Sequence, residues 1–112
     1  MKISYDGIGY LAVTVPAGTC GAGKACVMNA AGQADACTSG GRFMGVCDEV
    51  KNGLAAVQVN GFAKLPYSGT VPTMGFAKLA ADGKGGVSVN SDGQEYLVVA
   101  VDEVGLNITV KL

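Results

Sequence analysis

The stretch GRFMGVCDEVKNGLAAVQVNGFAKLP, residues 41–66, decides the fold. Two apolar segments, Phe43–Val50 and Leu54–Val59, lie on either side of a turn at Lys51-Asn52-Gly53. Asn-Gly is a strong signal for a β-hairpin because both residues tolerate the positive φ that tight hairpin turns require. Gly61 then interrupts the pattern, and a third strand leads to Pro66. The stretch therefore predicts a hairpin followed by a further strand.

The alternation of apolar and polar residues predicts which strand faces are buried. The valines of Val57-Gln58-Val59-Asn60 alternate with polar residues, so one face of this strand should be buried. Tyr96–Val101 is apolar throughout, as in a strand that is covered on both faces. Residues 106–112 alternate strictly. They should place Leu106, Ile108, Val110 and Leu112 in the core and Asn107, Thr109 and Lys111 in solvent.

Shorter strands are predicted nearer the N-terminus, at Tyr10–Val15, which Pro16 ends, and around Ala25–Met28 and Ala34–Cys37. No segment sustains a 3.6-residue period, and the 18 glycines would weaken any helix. The chain is therefore predicted to be all-β or nearly so, a compact antiparallel β-barrel or sandwich with short strands and glycine-rich turns. We expect residues 1–112 to form a single β domain, with residues 1–9 as a flexible N-terminal arm.

Composition narrows the classes of partner. Only 15% of residues are charged, compared with about 25% in an average soluble domain, although 49% are hydrophobic. Such a surface favours contact between subunits. The 8 basic and 9 acidic residues give no field that would attract nucleic acid or anionic lipid. The longest apolar run is too short for a transmembrane helix, which needs about 20 residues. We therefore expect no nucleic-acid partner and no membrane partner.

The motifs that could carry catalysis or bind a cofactor all have simpler interpretations. Gly18–Ala25, GTCGAGKA, has the spacing of a phosphate-binding loop, but Ala25 replaces the magnesium-binding hydroxyl and no helix is predicted to follow. We interpret it as a glycine-rich turn with a solvated lysine. The chain has no histidine, and the adjacent carboxylates of Asp48-Glu49 and Asp102-Glu103 should point to opposite strand faces. We expect no catalytic residues, no cofactor and no metal, and therefore no enzyme.

The four cysteines, Cys20, Cys26, Cys37 and Cys47, leave three alternatives open. Their separations of six, eleven and ten positions fit no common zinc motif. Two disulfides with any of three connectivities would require an oxidising compartment. We favour the interpretation that the cysteines are small, buried hydrophobic residues.

Two short stretches occur twice. Gly61–Leu65, GFAKL, recurs unchanged as Gly75–Leu79, and Asp-Glu-Val occurs at residues 48–50 and 102–104, each time before a turn with a Gly-Leu pair. The repeats could mark duplicated halves of a pseudo-symmetric barrel. We favour chance, because no array of equal-length units follows. Phe62 near Lys64 and Phe76 near Lys78 hint at RNA binding, but core packing is the favoured role of both rings.

The order of these features resembles the small capsid decoration proteins, also called cement or head-stabilising proteins, of tailed bacteriophages and prophages. The resemblance rests on patterns of small residues and strands along nearly the whole chain. They are Val13-Thr14-Val15-Pro16-Ala17-Gly18, Gly45-Val46, Val57-Gln58-Val59-Asn60-Gly61 leading to Leu65-Pro66, and the final Ile108-Thr109-Val110-Lys111-Leu112.

This resemblance implies a structural virion protein that binds the outer surface of an assembled phage capsid and clamps neighbouring capsomers. It implies the major capsid protein as partner, a homotrimer, synthesis in the bacterial cytoplasm and a final location on the capsid exterior. The N-terminal arm would pair with a capsid strand. The expected contact residues are Lys2, Ile3, Ser4, Tyr5 and Asp6. The alternative is a glycan- or ligand-binding β module displayed on a virion or cell surface, which predicts exposed aromatic rings in a concave site.

Overall fold

The computed structural model describes residues 9–112, which form two antiparallel five-stranded sheets packed as a sandwich. The prediction of an all-β sandwich is confirmed, and neither sheet forms a closed barrel. Sheet A holds β1–β5 and sheet B holds β6–β10. The strands are β1 (Leu11–Pro16), β2 (Ala25–Met28), β3 (Ala34–Ala36), β4 (Gly45–Lys51), β5 (Leu54–Asn60), β6 (Phe62–Pro66), β7 (Gly75–Ala81), β8 (Val87–Val89), β9 (Gln94–Asp102) and β10 (Asn107–Lys111). Among the described residues, no helix could span a membrane.

The predicted hairpin is β4–β5. Lys51 pairs with Leu54 across the turn, and Asn52 and Gly53 have φ of 53° and 75°. Both central residues thus adopt the positive φ that the Asn-Gly signal requires. Gly61, with φ of 92°, follows β5 directly and redirects the chain into β6. β6 pairs with β10 in sheet B, so Gly61 marks the passage from one sheet to the other.

Two of the burial predictions are wrong. Gln58 is only 6% exposed, because its side-chain amide donates to the carbonyls of Asn60 and Phe62, and β5 is therefore covered on both faces at this point. Leu106 is 54% exposed with φ of 56°, because it lies in the turn before β10. The other inward positions agree better with the alternation: Ile108 and Val110 are fully buried, and Leu112 is partly buried.

The two sheets have the same topology. The strand order is β1-β5-β4-β2-β3 in sheet A and β6-β10-β9-β7-β8 in sheet B. If each sheet's strands are counted from its own first strand, both orders read first, fifth, fourth, second, third. In each sheet one parallel bridge also joins the residue after the first strand to the first residue of the third strand, Ala17 to Ala34 and Tyr67 to Val87. The bridge brings the two edge strands of each sheet together. The chain therefore consists of two structurally repeated units.

The repeat extends to irregular details. A bulge that inserts Asp48 into β4 opposite β5 has its counterpart at Val99, in β9 opposite β10. In the β2–β3 turn, the Asn29 side chain accepts hydrogen bonds from the amides two and four residues later, and Asp82 does the same in the β7–β8 turn. Matching bulges and turns at matching positions indicate a duplicated unit. The GFAKL copies, in contrast, lie on β6 and β7, which are not equivalent strands.

Each unit has its own buried cluster, with small residues in the first and larger ones in the second. Sheet A buries Cys26, Ala34, Cys47, Ala55 and Val57. The equivalent positions of sheet B hold Leu79, Val87, Val98, Ile108 and Val110. Three residues of the first unit, Ala25, Phe43 and Val46, belong to the cluster of sheet B. The first unit therefore completes the core of the second.

Candidate functional site

The outer face of sheet B presents an apolar strip among lysines. We define this face by three rows of paired residues. The rows are Phe76–Leu97–Lys111–Phe62, Lys78–Glu95 and Ala100–Thr109–Lys64. Their neighbours along the strands, such as Leu79, Val98 and Val110, point into the core, so the rows must point outwards.

Phe76 stands at one end of its row and is the most exposed apolar side chain of this face. Its side chain is 70% exposed, and Met74, two residues earlier, is 64% exposed. Lys78 lies on the same side of β7, opposite Glu95 on β9. In the three rows the cations Lys64, Lys78 and Lys111 outnumber the single anion Glu95. The face therefore combines exposed hydrophobic surface with positive charge, as protein-binding surfaces often do.

The prediction that Phe76 packs in the core is wrong, because Ala77 and Leu79 occupy the inward positions of β7. The period-two pattern of Phe76-Ala77-Lys78-Leu79 contains the signal that would have found this. Phe76 shares a strand face with Lys78, and a lysine is a strong marker for the solvent side. Phe62 is partly buried, whereas Lys64 on the same strand is exposed.

The predicted contact residues Lys2, Ile3, Ser4, Tyr5 and Asp6 lie outside the described residues. The last residue of the predicted arm, Gly9, lies against β5, because the Asn60 side-chain amide donates to its carbonyl at 3.1 Å. The chain enters β1 two residues later. β1 is an edge strand that pairs with β5 on one side. Gly9 thus lies beside an edge strand of sheet A.

A groove of about 430 Å³ lies where sheet A meets sheet B. Its lining includes Arg42, Phe43 and Tyr96. The rings of Phe43 and Tyr96 stack at 4.6 Å with 15° between their planes, and the Tyr96 hydroxyl donates to the Phe43 carbonyl at 3.4 Å. Burial raises the pKa of Tyr96, although Arg42 opposes the shift. Phe43 is buried and one face of Tyr96 covers it, so this pair stabilises the junction between the sheets.

A smaller cleft of about 310 Å³ places Tyr10 and Asp48 near Lys64. The Tyr10 hydroxyl donates to the Asp48 carboxylate, and this hydrogen bond is the main cause that raises the pKa of Tyr10. Asp48 occupies the bulge of β4, which aims its carboxylate at Tyr10. This hydrogen bond links Tyr10, the residue before β1, to β4 in the middle of sheet A.

The loop with phosphate-binding spacing leads into a strand. Residues 18–24 form turns, and β2 begins at Ala25, so no helix N-terminus is available to a phosphate. Lys24 is exposed and its aliphatic chain packs beside Gly21 and Gly85. The loop therefore matches the interpretation as a glycine-rich turn.

The four cysteines are free thiols. Cys26 and Cys47 are buried in the cluster of sheet A, as expected for small hydrophobic residues. Burial raises the pKa of Cys26 to about 12 and that of Cys47 to about 11. Residues 9–112 contain no group of three or more acidic or cysteine side chains that could hold a metal ion.

No family model, curated protein or solved structure matches this chain.

Proposed function

We propose that this chain is a structural virion protein that binds the outer surface of an assembled phage capsid and clamps neighbouring capsomers. The observation that supports the proposal most strongly is the outer face of sheet B, where Phe76 is exposed among lysines, and Met74 is exposed just before β7. A domain with few charges that leaves large apolar side chains in solvent has a surface suited to a protein partner.

The outer face suits a flat partner surface. Phe76 and Leu97 lie on adjacent strands of a regular sheet, and Lys78 and Lys111 flank them. Aromatic side chains are common anchors of protein interfaces, and the rim around such anchors is polar. The lysines would favour an acidic patch on the major capsid protein, and the apolar strip would supply most of the affinity.

The N-terminal arm would provide a second attachment. It precedes the edge strand β1, so Lys2–Asp6 would extend beside an exposed strand of the capsid protein and pair with it through main-chain hydrogen bonds. A homotrimer would present three arms and three outer faces at once. Because several weak contacts act together, the complex would bind a symmetric lattice much more tightly than one copy could.

The alternative, a glycan- or ligand-binding module, requires exposed aromatic rings in a concave site. The groove at the junction of the sheets contains two aromatic rings, but Phe43 is buried and stacks against Tyr96. The most exposed ring, Phe76, lies on a sheet face. We therefore prefer the capsid-binding proposal.

Co-sedimentation with heads of the phage or prophage that encodes this chain tests the proposal. The purified protein is mixed with empty and DNA-filled heads, and the bound fraction is measured against protein concentration. We expect saturable binding. Phe76→Ser should weaken it about tenfold or more, because it removes the apolar anchor from an exposed position. Deletion of Lys2–Asp6 should weaken it as well.

Val104→Ser is the matched control. Val104 is 97% exposed but lies in the β9–β10 turn, away from the rows of the outer face, so its loss should leave binding unchanged. Light scattering over a dilution series measures the oligomeric state of the same samples. If the heads bind the protein in none of its oligomeric states, the proposal is overturned. Binding on a glycan array would favour the alternative.

A further inference from the structure

Cys20 and Cys47 lie next to each other although 27 positions separate them in the chain. Their sulfur atoms are 4.0 Å apart. Cys47 lies on β4 with its side chain in the cluster of sheet A, and the partly buried Cys20 packs against that cluster from the loop that follows β1. A disulfide requires the two sulfur atoms to approach to about 2.05 Å, and the fold already places them within 4.0 Å.

The backbone holds both cysteines in place. The amide of Cys20 donates to the Ala34 carbonyl at 3.3 Å, which fixes the loop to β3. Further along the same loop, the amide of Gly23 donates to the carbonyl of Cys47 at 2.7 Å. The loop is therefore attached to the strand that carries the second thiol. These backbone contacts keep the two thiols adjacent.

Cys26 lies in the same cluster as Cys47, and its thiol donates to the Gly45 carbonyl at 3.7 Å. The Cys47 thiol has a similar contact with the Glu49 carbonyl at 3.7 Å, but it also lies 4.0 Å from the Cys20 sulfur. Cys37 packs against the cluster of the second unit. The structure favours a single Cys20–Cys47 link with Cys26 and Cys37 left as thiols, and not the pair of disulfides that the sequence leaves open.

The structural repeat shows that packing alone does not require a thiol at residue 47. Its equivalent in the second unit is Val98, because Cys47 pairs with Val57 in one sheet and Val98 pairs with Val110 in the other. Both positions are completely or almost completely buried. An aliphatic side chain can therefore fill this position of the fold, and Cys47→Val is a conservative change.

We propose that Cys20 and Cys47 form a site of reversible oxidation at which a small disulfide, such as oxidised glutathione, converts the two thiols into one intramolecular disulfide. The more accessible Cys20 reacts first. Its thiolate attacks one sulfur of oxidised glutathione, which releases one glutathione thiolate and leaves a mixed disulfide on Cys20. The Cys47 thiolate then attacks the Cys20 sulfur and releases the second glutathione.

The reaction balances without another reagent. Two protein thiols lose two electrons and two protons, and oxidised glutathione takes them up to become two molecules of reduced glutathione. The new link joins the loop after β1 to β4 and closes the chain between them. We expect it to raise the melting temperature, because it restricts the unfolded chain. The inference does not depend on capsid binding.

The test exposes the purified full chain to a series of glutathione redox buffers and follows it by intact mass and peptide mapping. The expected product has lost two hydrogen atoms, contains a peptide pair linked through Cys20 and Cys47, and retains two titratable thiols in denaturant. Any of three results would overturn the proposal. They are four thiols that remain in oxidising buffer, a stable glutathione adduct on Cys20, and a disulfide through another cysteine.

Three variants complete the design. Cys47→Val and Cys20→Ser should each abolish the loss of two hydrogens and the rise in melting temperature, and in Cys47→Val the reaction should stop at a glutathione adduct on Cys20. Cys37→Ser is the matched control, since it removes a thiol but should still yield the Cys20–Cys47 link. Circular dichroism confirms that each variant is folded. If Cys47→Val fails to fold, Cys20→Ser provides the same comparison.

Discussion

The hydroxyl of Tyr67 is buried and has no hydrogen-bond partner within the described part of the chain. Ala17 is the equivalent of Tyr67 in the first unit. Each of the two residues follows an edge strand that ends in proline, and each forms the parallel bridge of its sheet. The ring fills the larger core of the second unit, but its polar end is removed from water without compensation. Burial of an unpaired hydroxyl is unfavourable.

Tyr67→Phe should therefore stabilise the protein. The change keeps the ring and removes the unpaired group, so we expect the free energy of unfolding to rise by about 1 kcal/mol. Chemical denaturation measures it. Tyr96→Phe is the matched control, because the Tyr96 hydroxyl has a partner in the Phe43 carbonyl, and its loss should leave the stability unchanged or lower. A destabilised Tyr67→Phe variant would mean that the hydroxyl has a partner in solution.

The buried thiols should make the protein less stable in alkali. Burial raises the pKa of Cys26 from 9.0 to about 12 and that of Cys47 from 9.0 to about 11. Above pH 9 the unfolded chain therefore releases these protons while the folded chain keeps them, and the free energy of unfolding falls. Each thiol contributes up to about 1.4 kcal/mol per pH unit.

This effect is measured by denaturation curves between pH 8 and pH 10.5 under reducing conditions. The range spans the ordinary thiol pKa of 9.0. Cys47→Val removes one of the thiols whose pKa burial raises and keeps an apolar side chain. Its stability should fall less steeply with pH than that of the native protein. Equal slopes for the two proteins would show that Cys47 ionises equally easily in the folded and unfolded states.

Two of the turns between strands depend on one side chain each. Asn29 accepts two backbone hydrogen bonds in the β2–β3 turn, and Asp82 accepts two in the β7–β8 turn at 2.7 and 3.1 Å. Ser68 also donates to Asp82, at 2.9 Å. Burial by itself would raise the pKa of Asp82, but the hydrogen bonds from Lys84, Ser68 and Gly86 together lower it. These contacts hold the turn and favour the charged carboxylate.

Asp82→Ala should cost about 1–3 kcal/mol of unfolding free energy, because it leaves the turn amides without an acceptor. Asp82→Asn should cost less, since Asn29 forms the same two contacts in the equivalent turn. Urea denaturation at neutral pH compares the variants. If both substitutions cost the same, the carboxylate charge and not the turn geometry would be what stabilises this element.

The same carboxylate predicts a loss of stability in acid. The pKa of Asp82 is lower in the folded chain than the ordinary value of 3.8. The contribution of the Asp82 carboxylate to the free energy of unfolding is therefore complete above pH 3.8, and it is lost as the pH falls through the pKa of the folded state. Asp82→Asn should remove this part of the acid dependence. Melting temperatures between pH 2 and pH 5 test it, and unchanged curves would contradict the assignment.

The whole molecule is two repeated units, each with its own buried cluster, but the cluster of the second unit is completed by residues of the first. Ala25, Phe43 and Val46 of the first unit are part of the cluster that sheet B buries. Backbone hydrogen bonds also cross between the units, from Ala25 to Gly85 and between residues 40–41 and Ala81. Removal of the first unit would expose this cluster to water. We therefore expect the two units to unfold together.

A fragment of residues 62–112 should not fold alone, although it contains all five strands of sheet B. Circular dichroism and amide proton dispersion measure its structure. Mixing it with a fragment of residues 1–61 should restore β structure, because the missing core residues return. A fragment 62–112 that folds by itself, with a cooperative melting transition, would show that the second unit is autonomous.

Local patterns in the sequence predicted every strand of sheet A and three of the five strands of sheet B, but not β7 or β8. The Asn52-Gly53 turn, the end of β1 at Pro16 and the inward positions Ile108 and Val110 were all predicted correctly. Each depends on backbone preferences or side-chain alternation within a few residues, and these act before any tertiary contact forms. The all-β class follows from the same local information.

The tertiary structure alone decided which strands pair and which apolar residues remain outside. Sequence patterns did not show that β6 leaves the hairpin for a second sheet, that both sheets share one topology, or that Phe76 is exposed while Gln58 is buried. They also could not show that Cys20 lies beside Cys47. Strand partners and burial depend on contacts between residues far apart in the chain, and the local alternation is compatible with several such pairings.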